Sequence, residues 1–167
     1  RSTLFPYTTL FRSRTGRSYV RNGWNVTGDI YFVDEEGYFW FQARADDMIV
    51  SAGYNIAGPE VEAALLTHPA VKECACIGAP DAERGQIVKA FVVLNEGHTA
   101  GTPLVKQLQS FVKQAIAPYK YPRAIEFLQA LPKTQTGKVQ RHALRAREQA
   151  ADASTNLTDT TTNTTRS

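Results

Sequence analysis

Apolar side chains recur along this chain with two periods, one typical of strands and one typical of helices. Near the start, two aromatic runs at 30–33 and 38–41 flank the turn-forming sequence Asp-Glu-Glu-Gly at 34–37. Such a pair of runs around a short polar turn predicts a β-hairpin. The density of aromatic side chains indicates that these strands pack against other parts of a fold.

Three later apolar runs predict further strands, at 71–77, 87–94 and 124–128. The run at 87–94 is interrupted only by Lys89, and a nearly unbroken apolar run is typical of a central strand covered on both faces. The segment Pro-Asp-Ala-Glu-Arg-Gly at 80–85 separates the first two runs and predicts a loop.

Helical periodicity is found in three segments. The first spans 59–68 and stops before Pro69, which cannot continue a helix. The second begins at Thr102, a suitable N-cap residue, and the third covers 139–147. The second helix carries a core-facing apolar stripe made of Leu104, Leu108, Phe111 and Ala115.

The two ends of the chain differ in composition from the rest. Residues 1–13, RSTLFPYTTLFRS, have no initiating Met and no periodicity, and most of them match the conceptual translation of a sequencing adapter. We therefore exclude them from fold reasoning as an artefact. Residues 148–167 become rich in Thr, Asn, Ser and Asp, which cannot bury a core, and are predicted to form a disordered tail.

The composition argues against several classes of function. Nineteen basic and sixteen acidic residues are interspersed and leave a net charge of only +3, so no nucleic-acid-binding patch is indicated. No apolar run approaches the ~18 residues of a membrane-spanning helix, so no membrane partner is expected. Cys74 and Cys76 lack the partners of a zinc site, and no metal site is predicted. We interpret them as buried free thiols in a reducing compartment, which favours a cytoplasmic location.

Three motifs carry the candidate chemistry. They are Asn-Val-Thr-Gly-Asp at 25–29, the stretch 42–62, and Pro-Lys-Thr-Gln-Thr-Gly-Lys at 132–138. Taken singly, each is also typical of ordinary structure. Gly-Asp is common in turns, the small residues around Gly53 favour a tight turn, and Lys138 alone would be an exposed lysine before a helix.

In this order and spacing, the motifs resemble those of the adenylate-forming acyl-CoA synthetases, the family that includes luciferases and peptide-synthetase adenylation domains. The resemblance covers roughly residues 19–147. It implies that 14–45 end a large amino-terminal domain and that 46–147 form a small carboxy-terminal domain, so that the chain is a fragment. The implied fold is α/β, of the α+β kind, with a mixed or antiparallel sheet, flanking helices and a preceding β-hairpin.

The resemblance implies an ATP or AMP site. Asp29 ends a Thr-Gly-Asp motif whose carboxylate accepts hydrogen bonds from ribose hydroxyls, although Val26 replaces the Arg of many relatives. Arg44, in Ala-Arg-Ala-Asp rather than Gly-Arg-x-Asp, would reach the ribose or phosphates of the adenylate. Asp46 corresponds to the hinge about which the small domain turns. Lys138 corresponds to the catalytic lysine, which bridges the substrate carboxylate and the α-phosphate.

The resemblance also implies a CoA site. The loop at 51–55 would lie beside the pantetheine arm, because Gly53 permits a close approach. An arginine would bind CoA phosphate, and a tyrosine followed by proline and arginine would line the nucleotide. The CoA-binding residues implied in this way are Ala52, Gly53, Tyr54, Arg84, Tyr121, Pro122 and Arg123.

The implied activity is that of an ATP-dependent carboxylate–CoA ligase, which converts an acid, ATP and CoA into acyl-CoA, AMP and pyrophosphate. Its partners are a small carboxylic acid, ATP and CoA, with Mg²⁺ bound mainly by the missing domain. The local sequences most resemble benzoate- and 2-aminobenzoate-CoA ligases, then medium-chain acyl-CoA synthetases. An adenylation domain that loads a carrier protein and a non-catalytic nucleotide-binding module are the alternatives. The fragment alone is expected to be inactive.

Overall fold

The structure is a computed structural model that describes residues 20–21, 24–25 and 28–161. The suspected adapter sequence at 1–13 and the end of the predicted tail at 162–167 lie outside these residues. Val26 and Thr27 of the first motif lie outside them as well.

The chain divides into two compact units, Arg1–Asp46 and Asp47–Ser167, so the division falls within one residue of the predicted domain start. The described elements of the first unit are β1 (Val20–Arg21), β2 (Trp24–Asn25), β3 (Asp29–Val33) and β4 (Phe39–Arg44). β1 pairs with β2 and β3 with β4, both antiparallel. The hairpin predicted from the two aromatic runs is therefore confirmed.

Asp34 closes the turn of this hairpin. Its Oδ1 accepts hydrogen bonds from the backbone N–H of Tyr38 at 2.9 Å and of Glu36 at 3.1 Å. Its Oδ2 accepts one from the indole N–H of Trp40 at 2.6 Å. These bonds, that from Trp40 above all, favour the charged carboxylate and lower the pKa of Asp34. An Asp at the start of a turn therefore has the role that its sequence position predicts.

The second unit contains, in its described residues, five strands and three α-helices. They are β5 (Met48–Ser51), β6 (Tyr54–Ala57), α1 (Gly58–Leu66), β7 (Val71–Asp81), β8 (Gly85–Leu94), α2 (Thr102–Ala115), β9 (Ala124–Phe127) and α3 (Arg141–Thr161). β5 and β6 form an antiparallel hairpin. In the larger sheet β8 lies between β7, antiparallel to it, and β9, parallel to it. The predicted mixed sheet with a central strand over 87–94 is confirmed.

The sheet separates two apolar layers because successive strand residues point to opposite faces. One layer contains even-numbered residues of β7 and β8 together with the two-stranded hairpin, α1 and α2: Cys74, Cys76, Val88, Ala90, Val92, Ile49, Ile56, Val61, Leu65, Leu108 and Val112. The other contains odd-numbered residues and the start of α3: Ala75, Ile77, Phe91, Val93, Leu131 and Leu144. The alternation explains why the sequence of β8 is almost continuously apolar.

Cys74 and Cys76 lie in the first layer as free thiols, which confirms that part of their interpretation. Burial raises the pKa of Cys74 to about 12, and the charge of Glu62 adds to the effect. Burial likewise raises the pKa of Cys76 well above its usual value. Both side chains are therefore unreactive, neutral core residues.

Three predicted boundaries differ from the structure. Within 80–85 only 82–84 form the turn, because Pro80 and Asp81 continue β7 and Gly85 begins β8. A proline is tolerated there because β7 is an edge strand.

The second boundary is that of α2. Its N-cap is Gly101 rather than Thr102, and no side chain caps it. Its buried side chains are Leu108 and Val112. Val112, one turn after Leu108, takes the place predicted for Ala115, which is exposed at the last turn.

The third boundary is the end of α3, which continues past the expected stop at 147 as far as Thr161. Residues 148–161 are therefore helical rather than part of a disordered tail. Ala150, Ala151 and Ala153 favour helix, and elongation from a helix that is already anchored adds one hydrogen bond per residue. In the part of the chain that the structure describes, no helix combines the length and hydropathy that crossing a membrane requires.

Candidate functional site

The tip of the β5–β6 hairpin consists of Ala52 and Gly53. Their φ angles are 48° and 82°, and two positive φ values are the mark of a tight two-residue turn that matches the twist of its strands. The backbone N–H of Ala52 donates to the carbonyl of Arg84 at 3.0 Å. The predicted loop at 51–55 is therefore only a two-residue turn, and it lies against the turn between β7 and β8.

Tyr54 connects this hairpin to the segment that follows α2. Its ring stacks on Tyr119 with centroids 4.5 Å apart and an interplanar angle of 28°. Tyr119 lies in the 3-10 turn Pro118–Lys120. The ammonium of Lys120 pairs with the carboxylate of Glu60 at 2.6 Å, which connects the same turn to the start of α1. The hairpin tip and the Tyr-Pro-Arg segment are thus held side by side.

Two cations lie close to the ring of Tyr121. The guanidinium of Arg123 is 5.0 Å from the ring centroid and donates to the phenolic oxygen at 3.0 Å. The ammonium of Lys113 is 4.0 Å from the same centroid. Such cation–π contacts hold both charges close to one aromatic face or edge. The arrangement can bind an anionic group beside a flat ring.

Pro122 differs from its neighbours because its side chain is fully buried. Its carbonyl and that of Arg123 each accept a hydrogen bond from the side chain of Gln109 at 3.0 Å. The side chain of Pro122 therefore cannot line a ligand site in this structure. It fixes the backbone that presents Tyr121 and Arg123.

Arg84 closes the turn between β7 and β8. Its backbone N–H donates to Oδ1 of Asp81 at 2.9 Å, and Glu83 donates to the same oxygen at 3.1 Å. Through the carbonyl that Ala52 contacts, the turn is fixed to the hairpin tip. The structure thus brings the backbone of Arg84, the tip of the hairpin and, through the stacked tyrosines, Tyr121 and Arg123 into one region.

Lys138 lies at the end of a closed loop before α3. The N–H of Thr134 donates to the carbonyl of Lys138 at 2.8 Å, and its hydroxyl accepts from the N–H of Lys138 at 3.1 Å. Gly137 has a φ of 82°, which the reversal of the chain requires. The backbone is therefore well fixed while the lysine side chain is exposed to solvent.

Asp29 and Arg44 belong to the first unit, where they are directly paired across β3 and β4. Gly28 has a φ of 75°, and a Cβ there would lie 3.5 Å from a guanidinium nitrogen of Arg44. Arg44 also lies 3.7 Å from the carboxylate of Asp46, but both side chains are more than half exposed, so this pair contributes little. A carboxylate and a guanidinium are therefore presented together by this hairpin.

Sequence reasoning missed two residues of the region around Tyr121. Lys113 follows Gln109 by four residues on the polar side of α2, and an isolated lysine in that position gives no signal in the sequence. Tyr119 precedes the recognised Tyr-Pro-Arg segment by two residues, and its stacking partner is 65 residues away in the chain.

Comparison with known proteins places these observations in one family. Residues 60–138 match the AMP-binding enzyme C-terminal domain. The chain is 52% identical over 137 residues to an uncharacterized acyl-CoA ligase of Bacillus subtilis (strain 168), which covers 82% of this chain and 26% of that protein.

Solved structures that resemble the chain come from the same family. The anthranilate CoA ligase AuaEII, crystallised with anthranoyl-AMP, is 44% identical with a TM-score of 0.70, over 80% of this chain and 26% of that one. ATP-bound MatB from Rhodopseudomonas palustris is 31% identical with a TM-score of 0.70, over 80% and 27%. The chain thus spans about a quarter of the length of these relatives. Residues 60–138 form an AMP-binding enzyme C-terminal domain, and the chain belongs to the acyl-CoA synthetase family of adenylate-forming proteins.

Proposed function

We propose that the longer protein of which this chain is part is an ATP-dependent carboxylate–CoA ligase. A carboxylate oxygen of the acid attacks the α-phosphorus of ATP, and pyrophosphate leaves. The thiolate of CoA then attacks the acyl carbonyl carbon of the adenylate, and AMP leaves. The observation that carries the proposal is the match to acyl-CoA ligases at 52% and 44% identity over four fifths of the chain.

Lys138 is the proposed catalytic residue of the first step. Its fixed backbone and exposed side chain allow an ammonium on a long stem to reach two anions at once. It would neutralise the carboxylate and the α-phosphate as charge moves to the leaving pyrophosphate. Asp29 is proposed to bind the ribose, and Arg44 the ribose or phosphates, because together they offer an acceptor and a donor side by side. Mg²⁺ is proposed to be held mainly by parts of the longer protein beyond these residues.

The second unit carries the proposed CoA site. The two-residue turn at Ala52 and Gly53 leaves the backbone uncovered, since a Cβ at Gly53 would meet nothing within 4 Å, and it can lie along the pantetheine arm. Tyr121, with Arg123 and Lys113 beside it, offers a ring for adenine and charges for phosphate. These charges favour free CoA over a carrier protein, because the adenosine phosphates are present only in CoA.

The acid is proposed to be aromatic, such as benzoate or 2-aminobenzoate. The support is the 44% identity to a ligase whose adenylate is that of anthranilate, which is 2-aminobenzoate. A medium-chain fatty acid is the second candidate. Assays of the longer protein with benzoate, 2-aminobenzoate and octanoate would decide, since a kcat/KM highest for octanoate contradicts the aromatic proposal.

A chimera would test the assigned residues. Residues 47–147 would replace the matching segment of the anthranilate CoA ligase, and each half-reaction would be followed with anthranilate. Lys138→Ala should slow adenylation on the order of 10²- to 10³-fold, as deletion of one transition-state charge contact does. It should slow thioester formation from preformed adenylate far less. Equal losses in both steps would contradict the role.

Matched controls are available on the same elements. Lys133, in the same loop, pairs with Glu73 at 2.8 Å, so Lys133→Ala should leave adenylation nearly unchanged.

Lys113→Ala tests the CoA site. It should raise the KM for CoA about tenfold and leave the KM for ATP unchanged, as loss of a charge-assisted contact to phosphate predicts. An equal rise in both KM values, or in neither, would remove Lys113 from the CoA site.

A further inference from the structure

Four charged side chains form a network where the second unit begins. Asp47 directly follows the proposed hinge residue, Glu62 lies on α1, and Arg141 and Arg145 lie on the first two turns of α3. The carboxylate side chains are 14% and 12% exposed, and Arg141 is 23% exposed. The charges of the two carboxylates and the two guanidinium groups therefore cancel in a site that is largely closed to water.

Arg141 is the centre of the network. One of its terminal nitrogens lies 2.7 and 2.9 Å from the two carboxylate oxygens of Glu62, and the other lies 3.7 Å from Asp47. Arg145 approaches the second oxygen of Asp47 at 3.2 Å. Glu62 also accepts the backbone N–H of Cys76 at 2.7 Å, which fixes it to the sheet. Arg141 therefore joins two carboxylates that come from separate parts of the chain.

The same arginine lies directly at the base of the Lys138 loop. Its neighbour Gln140 donates its N–H to the carbonyl of Pro132 at 2.8 Å and so closes the loop. A second connection across the loop joins Lys133 and Val139 as an isolated β-bridge. Asp47 is thus connected to the loop through the side chain of Arg141, whose backbone follows directly on the two connections that close the loop.

The chemistry of the network indicates a positional rather than a purely stabilising role. A buried ion pair is often no more stabilising than well-packed apolar residues, because desolvation offsets the attraction. Nε of Arg141 is buried and has no hydrogen-bond partner, so the two carboxylates, and not full hydrogen bonding, set the orientation of the guanidinium. What the network does provide is a fixed distance between Asp47 and the first turn of α3.

We propose that Arg141 is a positioning residue that couples the backbone just after the hinge to the loop that carries Lys138. When the small domain turns about the hinge at Asp46, the Lys138 loop then keeps a fixed position relative to that hinge. The link to catalysis rests on the proposed function of Lys138, whereas the mechanical coupling does not.

Amide hydrogen exchange in the 167-residue chain tests the coupling. Asp47→Asn removes a charge that Arg141 faces, and it should speed exchange of the amides of Thr134 and Gln140 about tenfold, within the range of coupling carried by such networks. Arg141→Met should do the same and should also speed exchange at Ile49 in β5. Amides of the central strand, such as that of Phe91, should not change.

Arg147→Met is the matched control, because Arg147 lies on the same helix and, among the residues that the structure describes, forms an ion pair only with Glu126. It should leave the loop amides unchanged. Faster exchange confined to the substituted residue, or an equal increase throughout the unit, would overturn the proposal. If Arg141→Met does not fold, Asp47→Asn decides alone.

Adenylation by the chimera distinguishes the proposed catalytic role of Lys138 from the proposed positioning role of Arg141. Arg141→Lys, which keeps the charge but cannot face both carboxylates, should lower the adenylation kcat about tenfold with the KM for ATP within about twofold. If Lys138→Ala leaves adenylation intact, the proposed function fails, while the exchange result still decides the coupling. If Arg141→Lys changes only the KM for ATP, the positioning role is wrong.

Discussion

Ala52 is the one described non-glycine residue with a positive φ, at 48°. The left-handed region costs an L-residue roughly 1–2 kcal/mol, and Asn tolerates it better than Ala. Ala52→Asn should therefore raise the free energy of unfolding by about 0.5–1 kcal/mol. Ala82→Asn, in the neighbouring β7–β8 turn, should give no such gain. Urea denaturation of both variants measures the difference, and a loss at position 52 would mean that the Ala52 turn is not strained.

His68 is buried, and its ring lies edge-on to that of Phe111. Its Nδ1 accepts the backbone N–H of Ala70 at 3.1 Å, so that nitrogen carries no proton. Burial, and then the charge of His98, lower the pKa of His68. The ring is therefore a neutral structural group rather than a catalytic one.

A pH dependence of stability follows from this lowered pKa. The folded state favours neutral His68, so its contribution is complete above the unfolded pKa of about 6.5 and is lost as the pH falls through the folded value. Between pH 7.5 and 5 the chain should lose stability relative to His68→Asn, because the Asn side chain keeps an acceptor and does not titrate. Denaturation at both pH values tests this. Identical pH profiles would show that His68 is not protonated on unfolding.

At the scale of elements, ion pairs explain why α3 continues beyond its predicted end. Lys89 on β8 pairs with Glu126 on β9 at 3.0 Å and with Glu148 on α3. Burial opposes the charge on Lys89, but the hydrogen bonds to the two glutamates outweigh it and raise its pKa. Glu148 is the first residue after the predicted helix end, so the helix is still held against the sheet there.

The elements that the sequence predicted are those with a local signal. The apolar run of β8, the prolines at the ends of α1 and the Asp-Glu-Glu-Gly turn each specify structure within a few residues. The sequence overestimated the loops at 51–55 and 80–85, because strand pairing continues into residues whose own propensity is low. The error is thus one of tertiary context and not of local pattern.

At the scale of the molecule, the contacts that sequence patterns could not supply are those between distant residues. Arg141 meets Glu62 across 79 positions and Arg145 meets Asp47 across 98. Each residue alone is an ordinary charged side chain of a helix or turn, so nothing in the local sequence pairs them. The motif resemblance predicted the members of the candidate site, but only the fold shows which of them meet and that Pro122 is buried.

Asp46 provides a test at this scale, because the hinge proposal concerns the whole protein. Asp46→Pro fixes φ near −65° and removes a backbone donor, so the variant should be held near one domain orientation. In the chimera, extended at its amino-terminal end to include this residue, adenylation should survive and thioester formation should fail, because a domain held in one orientation can serve only one of the two half-reactions.

Asp46→Ala is the control for the hinge, since it removes the same carboxylate and its exposed pair with Arg44 but leaves φ free. It should keep both half-reactions near their normal rates in single-turnover assays. If Asp46→Pro also keeps both, Asp46 is not the pivot. If Asp46→Pro and Asp46→Ala both lose thioester formation, the loss comes from removal of the carboxylate and not from the backbone, because only the proline restricts rotation at this residue.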